Sequence, residues 1–252
     1  MPIPIALQLY SLRDSAAKDF AAVLKTVADM GYRGVELAGF HGKSAAEVAT
    51  MIRDVGLEVA GGHMAMPSKD NIQQLVDDCN ALGTKMIVTG FGPNDYATEA
   101  DTRKNASRFE QAGALAAKNG LKLGYHNHWW EFDRKFGGKT PHEILMKNCP
   151  SVFAEVDVYW VIFGGGDAAA VIKSLKGRTP LLHIKDGPLE KDKPHTAVGA
   201  GKLDMPTIIG AADPATTKWL IVELDSCATD MTQAVRDSYD YLVSQGLAAG
   251  RK

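Results

Sequence analysis

Four polar side chains stand at the ends of four apolar segments in the second half of the sequence. They are Glu131, Asp157, His183 and Glu223. Buried strands are normally apolar to their ends, so a carboxylate or imidazole that recurs at this position indicates chemistry. Two Glu, one Asp and one His suit Mn²⁺, Mg²⁺, Co²⁺ or Zn²⁺. The sequence therefore predicts a metal-dependent enzyme.

Two of these residues carry the strongest individual signals. Glu223 follows the apolar segment 219–222, where an unpaired carboxylate would be costly unless a metal or a basic residue compensates it. We predict that Glu223 is both a metal ligand and a catalytic acid/base. His183 is predicted to be a ligand as well. Lys185 points to the same side as His183, since strand side chains alternate, and either contacts a substrate oxygen or forms a salt bridge.

The sixth apolar segment carries two acids on one face, Glu155 and Asp157. Asp157 lies nearer the strand end and is the predicted ligand, which leaves Glu155 as a supporting carboxylate. Trp160 follows closely and is predicted to contact substrate as part of a pocket wall, although ordinary loop packing explains it equally well.

The segment Tyr125–Phe132 is the densest in functional side chains. Alternation places His126 and His128 on one face, whereas Glu131 lies beyond the strand end and must fold back to reach a site. We predict Glu131 as the fourth ligand and the second catalytic group, with His126 as its rival. His128, and whichever of the other two does not bind metal, would contact substrate.

Candidates on the earlier strands are weaker. Glu36 and His63 each follow a short apolar segment and are predicted to hydrogen-bond a polyol, with a structural role as the alternative. The glycine-rich stretch 198–204 precedes a helix. Its N–H groups either approach a substrate oxygen or belong to a plain loop in which Asp204 is the helix N-cap.

Short apolar segments alternate with amphipathic ones along the whole chain, which predicts eight strand–helix units. The predicted strands are 3–8, 33–38, 57–62, 85–90, 121–127, 152–157, 180–185 and 218–224. The predicted helices are 19–30, 44–55, 69–81, 100–119, 140–148, 167–176, 204–212 and 228–245. This pattern indicates one domain over residues 1–252, an α/β fold of the (β/α)₈ TIM-barrel type, in which functional residues gather at the C-terminal strand ends. A doubly wound sheet is disfavoured because the turn 10–14 has no phosphate-binding glycines.

The composition excludes several classes of protein. A net charge of −2 with scattered basic residues argues against nucleic-acid binding. The three cysteines are odd in number and form no CxxC pair, so no disulfide framework is indicated. The N-terminus has no signal-peptide pattern and no segment is long enough to span a membrane, which predicts a cytoplasmic protein. A signal removed from a precursor would leave the same N-terminus.

Taken together and in order, several motifs resemble the xylose-isomerase-like TIM-barrel superfamily, in the branch of sugar phosphate, tagatose and inosose isomerases and epimerases. The motifs are Gly34–Leu37, Tyr125–His128 with Glu131–Phe132, Val156–Asp157, His183–Asp186, Gly199–Asp204 and Val222–Asp225. The resemblance implies one divalent metal, commonly Mn²⁺ and otherwise Mg, Co or Zn, held by Glu, Asp, His and Glu on strands five to eight. The fifth strand departs from that pattern, because His126 stands where relatives have Glu.

The resemblance implies an isomerase or epimerase that moves a proton of a keto-sugar or polyol through a metal-stabilised ene-diolate. A 3-keto-glycoside lyase or hydrolase that uses the same site is the first alternative, and a non-catalytic sugar-binding barrel is the second. The expected partner is a small unphosphorylated sugar, with no nucleic acid and no membrane. Because members of the family often pair, a homodimer is left open.

Overall fold

The computed structural model describes residues 2–251, within which eight parallel strands form a closed barrel. The strands follow one another from β2 to β8, and β1 closes the ring by pairing with both β8 and β2. The barrel strands are β1 Ile3–Gln8, β2 Gly34–Leu37, β3 Glu58–His63, β4 Met86–Thr89, β5 Lys122–His126, β6 Phe153–Asp157, β7 Leu181–Ile184 and β8 Trp219–Val222. A two-residue strand, β9 Ala248–Ala249, pairs with β1. The predicted (β/α)₈ barrel is confirmed.

Helices surround the barrel and include all those predicted from the sequence. They are α1 Arg13–Ala16, α2 Phe20–Met30, α3 Ala45–Asp54, α4 Ile72–Leu82, α5 Glu99–Lys118, α6 Pro141–Asn148, α7 Val158–Phe163, α8 Ala168–Ser174, α9 Met205–Ile209 and α10 Met231–Ser244. Helix α9 is shorter than predicted, and α7 was missed because it starts directly at the end of β6. Among residues 2–251, none of the helices has the length and apolar character that a membrane span requires.

The barrel interior changes from apolar to polar along the strands. Inward-facing side chains in the lower part pack as an apolar cluster: Ala6, Ala60, Val88, Phe153, Leu181, Trp219 and Ile221. Phe153 lies two residues before Glu155, and Leu181 lies two residues before His183, so each acid or imidazole sits directly above an apolar neighbour on the same strand. The apolar layer therefore supports a polar layer at the C-terminal mouth.

Candidate metal centre

Four side chains from four consecutive strands meet at the C-terminal mouth of the barrel. His126 ends β5, Asp157 ends β6, His183 lies in β7 and Glu223 follows β8. One nitrogen or carboxylate oxygen from each lies within 4.8 Å of the others. All four side chains are buried, with at most 5% of each residue exposed. The structure thus brings together three of the predicted ligands and adds His126.

The backbone around Asp157 is held by hydrogen bonds that fix its carboxylate. The amide side chain of Asn127, on the neighbouring strand end, accepts from the Asp157 N–H (3.1 Å) and donates to the Asp157 carbonyl (3.3 Å). Asp157 Oδ1 caps α7 by accepting from the N–H of Trp160 (2.9 Å). Oδ2 lies 3.0 Å from the Lys185 ammonium, so a cation at the mouth would compete with this lysine for the oxygen.

Lys185 supplies a buried positive charge beside these acids. Its ammonium lies 3.0 Å from Asp157 Oδ2, 2.9 Å from Glu223 Oε2 and 2.7 Å from Asp225 Oδ2, and the lysine is fully buried. Burial alone would lower the pKa of Lys185, but the three carboxylates hold it well above its usual range. The salt-bridge alternative of the sequence analysis is therefore present, and its main partner, Asp225, was not among the predicted site residues.

The types of donor at the mouth suit a divalent cation. Burial raises the pKa of Asp157. Burial also opposes ionisation of Glu223, yet Lys185 and His183 hold its pKa well below the usual range, so the carboxylate is ionised. Two carboxylates and two imidazoles form a donor set that Mn²⁺, Co²⁺ or Zn²⁺ accepts. The convergence of their ligand atoms within 4.8 Å fits a single divalent ion.

Glu131, the preferred fourth ligand of the sequence analysis, does not join this group. Residues 129–131 form a 3₁₀ turn that directs the Glu131 carboxylate away from the mouth, where it contacts the Tyr125 hydroxyl and accepts the N–H of His128 (2.9 Å). Tyr125 and His126 are adjacent in β5, so their side chains lie on opposite faces, and Tyr125 packs against Phe109 of α5. Glu131 therefore lies outside the candidate cluster, and its rival His126 stands in the fourth position of that cluster.

Glu131 is instead a buried acid that fixes the loop after β5. It is fully buried, and desolvation raises the pKa of its carboxyl to about 8. At neutral pH the group is therefore mostly a neutral acid, which suits its contact with Tyr125. The predicted catalytic role of Glu131 is not supported by this position.

Glu36 and His63 lie at different depths below the mouth. Glu36 is fully buried, accepts from Gln8 Nε2 (2.8 Å) and lies 2.7 Å from His183 Nε2, which agrees with the structural alternative for this residue. The His63 side chain is 31% exposed, and its Nε2 lies 2.9 Å from Glu155 Oε2. His63 therefore stays a candidate for substrate contact.

Aromatic rings line one side of the mouth. The rings of His128 and Trp130 stack with a centroid distance of 4.2 Å, and His128 faces Trp160 at 6.4 Å. The Lys185 ammonium lies 5.3 Å from the Trp160 ring centroid, which links this aromatic wall to the buried acids. Burial lowers the pKa of His128 to about 4, so its imidazole is neutral at pH 7. The predicted substrate residues His128 and Trp160 thus share one half-buried surface.

The glycine-rich stretch before α9 is a structural loop. Its N–H groups from Gly199, Gly201 and Leu203 donate to the Asp186 carboxylate at 3.0–3.2 Å. A Cβ on Gly201 would come within 2.0 Å of Asp186 Oδ1, which explains the need for glycine. Asp204 caps α9 by accepting from the Thr207 N–H. The plain-loop alternative is therefore confirmed, and these N–H groups are occupied by the protein.

Comparisons with known proteins agree with this architecture. A sugar phosphate isomerase/epimerase from Parabacteroides distasonis is 26% identical, with 98% of this chain and 100% of that chain covered and a TM-score of 0.81. A second structure from that organism has 25% identity, coverages of 99% and 96%, and a TM-score of 0.80. An L-ribulose 3-epimerase shares the fold at 16% identity, with coverages of 98% and 95% and a TM-score of 0.71. A search of curated proteins found no match.

The family-level comparison covers most of the sequence. The model of the xylose isomerase-like TIM barrel matches residues 24–245, which run from α2 through α10 and include every residue of the mouth described above. The chain therefore belongs to the xylose isomerase-like TIM barrel family.

Proposed function

We propose that the protein is a divalent-metal-dependent enzyme that moves the proton next to the carbonyl group of a keto-sugar or related polyol, and so isomerises or epimerises it. One observation carries this proposal: ligand atoms of His126, Asp157, His183 and Glu223 converge within 4.8 Å at the end of the barrel where such folds place their active sites. The similarity to sugar phosphate isomerase/epimerases supports the same class of reaction.

These four residues would hold the ion, with Mn²⁺ as the first candidate and Mg²⁺, Co²⁺ or Zn²⁺ as alternatives. A divalent ion bound there supplies Lewis-acid polarisation of a carbonyl group. The protein supplies a dry site, since the four side chains are buried and the aromatic wall of His128, Trp130 and Trp160 borders the mouth. This wall presents ring faces to the apolar side of a sugar.

Glu223 is the proposed base. Its ionised carboxylate takes the proton from the carbon next to the carbonyl. The electron pair of the C–H bond forms the new C=C bond, and the π pair of the carbonyl moves onto its oxygen, which gives an ene-diolate. Lys185, 2.9 Å from Glu223 Oε2, stabilises the ionised carboxylate before the transfer. Glu223 then returns the proton to the former carbonyl carbon, while the hydroxyl proton of the neighbouring oxygen passes to the former carbonyl oxygen, which completes an aldose–ketose isomerisation.

The position of Glu131 bears on the stereochemistry of the reaction. Isomerisation by transfer between adjacent carbons needs one base on one face of the ene-diol, whereas epimerisation needs a second group on the opposite face. Of the two acids predicted for proton transfer, Glu223 reaches the mouth and Glu131 does not. His126, the rival candidate for the second group, does lie at the mouth, so the site offers groups for isomerisation by Glu223 alone and for epimerisation by Glu223 with His126.

A second candidate function is lyase activity on a 3-keto-glycoside. Removal of the same type of proton next to a 3-keto group would expel the glycosidic oxygen, and Glu223 would again be the base. The specific observation in its favour is the aromatic wall, because its two tryptophans lie beside the mouth and would stack against an aglycone or a second sugar.

Solvent exchange tests the proposal and separates the two reactions. The Mn²⁺-loaded protein is incubated in D₂O with a panel of ketoses, aldoses and 3-keto-glycosides, and proton NMR follows the signal of the carbon next to the carbonyl. We expect deuterium incorporation with an isomerised sugar as product. Release of the aglycone would instead establish the lyase, and the absence of exchange, isomerised sugar and released aglycone across the whole panel would contradict both.

A further inference from the structure

A second polar layer lies directly beneath the four mouth residues. It consists of Glu36 on β2 and Glu155 on β6, both fully buried. Glu155 is two residues before Asp157 on the same strand and therefore faces the same barrel interior at greater depth. These carboxylates contact the histidines of the mouth and not the solvent, so they can act on the site only through those histidines.

Each of the two mouth histidines has one ring nitrogen on this lower layer. His183 has Nδ1 at 3.0 Å from Glu223 Oε2 and Nε2 at 2.7 Å from Glu36 Oε2. His126 has Nδ1 at 3.0 Å from Glu155 Oε2, which leaves its Nε2 for the mouth. Both carboxylates are anchored further, because Gln8 donates to Glu36 and His63 Nε2 lies 2.9 Å from Glu155.

We propose that Glu36 and Glu155 are positioning residues of the metal centre, an inference that rests on the proposed function. Glu36 accepts the N–H of His183 Nε2 and keeps Nδ1 unprotonated towards the mouth. Glu155 accepts the N–H of His126 Nδ1 and keeps Nε2 unprotonated in the same way. A carboxylate on the far nitrogen of a metal-binding histidine fixes both tautomer and ring orientation.

A second metal ion in the lower layer is the competing explanation. His63, His126, Glu155 and His183 also offer ligand atoms within 4.8 Å of one another. However, His126 and His183 belong to both groups. One imidazole can bind two ions only as an imidazolate, in which neither ring nitrogen carries a proton. The distances from the Glu36 and Glu155 oxygens to the histidine nitrogens, 2.7–3.2 Å, are those of hydrogen bonds. The geometry therefore favours a hydrogen-bonded support for one ion.

Metal affinity provides a test that does not depend on knowing the substrate. Dissociation constants for Mn²⁺ and Co²⁺ are measured by chelator competition for the wild type and for Glu36→Leu, Glu36→Gln and Glu155→Gln. The Leu variant removes the hydrogen-bond acceptor, whereas the Gln variant keeps an acceptor oxygen. The Gln variant can therefore be measured even where the Leu variant does not fold. We expect binding weakened by about 10–100-fold in Glu36→Leu, with a smaller loss in Glu36→Gln and Glu155→Gln, which keep an acceptor oxygen.

Two further measurements separate positioning from a general loss of stability. Glu58→Gln, an exposed acid at the start of β3, is the control and should bind as the wild type does. In the Co²⁺ form, the visible absorption bands should shift in Glu36→Leu, because the ligand ring is no longer held. In protein labelled with ¹⁵N-histidine, the proton of His183 should reside on Nε2 in the wild type.

Each possible outcome contradicts a different claim. Unchanged metal affinity and an unchanged Co²⁺ spectrum in a folded Glu36→Leu protein would overturn the positioning role alone. Two equivalents of metal in the wild type, one of them lost in Glu155→Gln, would overturn it in favour of a second metal site. Failure of the wild type to bind any ion would overturn the proposed function itself.

Discussion

Replacing Glu223 by Gln is expected to lower turnover by about 10²–10⁴-fold, the range that a general acid–base group contributes. The amide has nearly the same shape as the carboxylate but cannot take a proton from substrate. Glu223 is buried between His183 Nδ1 and Lys185 Nζ, at 3.0 and 2.9 Å, so no water replaces its function easily. The measurement is the rate of solvent exchange at saturating metal.

Two controls make the Glu223 result specific. The metal content of Glu223→Gln is measured alongside its rate, so that loss of the ion and loss of the base are distinguished. Glu190→Gln, an exposed acid 3.4 Å from Lys202, should retain wild-type turnover. Near-wild-type exchange by a metal-loaded Glu223→Gln protein would remove Glu223 from the proton-transfer step.

Replacing Lys185 by Met is expected to destabilise the chelator-treated protein by about 3–5 kcal/mol, the usual cost of removing one partner from a buried ion pair. Lys185 is fully buried with three carboxylate oxygens within 3.0 Å of its ammonium. Methionine keeps the volume but leaves Asp157 and Glu223 without a compensating positive charge. The free energy of unfolding is measured in urea with and without Mn²⁺.

Added metal should recover part of the stability lost in Lys185→Met, since a divalent ion bound by Asp157 and Glu223 replaces the missing charge. Lys202→Met is the matched control, because Lys202 and its partner Glu190 are both more than half exposed and their pair should contribute little. An unfolding free energy of Lys185→Met equal to that of the wild type would contradict the role of Lys185 as the compensating charge.

The barrel could be predicted from the sequence because its signals are local. Apolar segments of four to six residues and amphipathic helices alternate regularly, and boundaries such as the Ser44 capping box and Gly31 (φ 108°) after α2 are written in neighbouring residues. Asp157, His183 and Glu223 were found for the same reason: each closes an apolar segment, and the topology brings the ends of parallel strands together.

The fourth position of the mouth could not be chosen by the same argument. His126 and Glu131 are both close to the end of β5, and the choice depends on the direction of the turn that follows. The structure shows that the 3₁₀ turn carries Glu131 to the outer face, next to Tyr125. Strand alternation did place His126 inside, and this local signal was more reliable than the expectation of a glutamate.

The lower carboxylate layer is a property of the folded chain. Glu36 and His183 are separated by 147 residues yet lie 2.7 Å apart, and no local pattern in the sequence connects them. The same holds for Lys185 and Asp225, which are 40 residues apart and 2.7 Å from one another. Residues that support a site from another strand therefore appear only when the strands are assembled.

The most direct test of the account is the metal content of the purified protein after incubation with Mn²⁺ and desalting. Elemental analysis is applied to the wild type, to an Asp157→Ala/His183→Ala double variant and to Glu131→Gln as the matched control. We predict close to one equivalent of metal in the wild type and in Glu131→Gln, and almost none in the double variant. A wild type without metal, or a double variant that retains it, would contradict a metal centre at the barrel mouth.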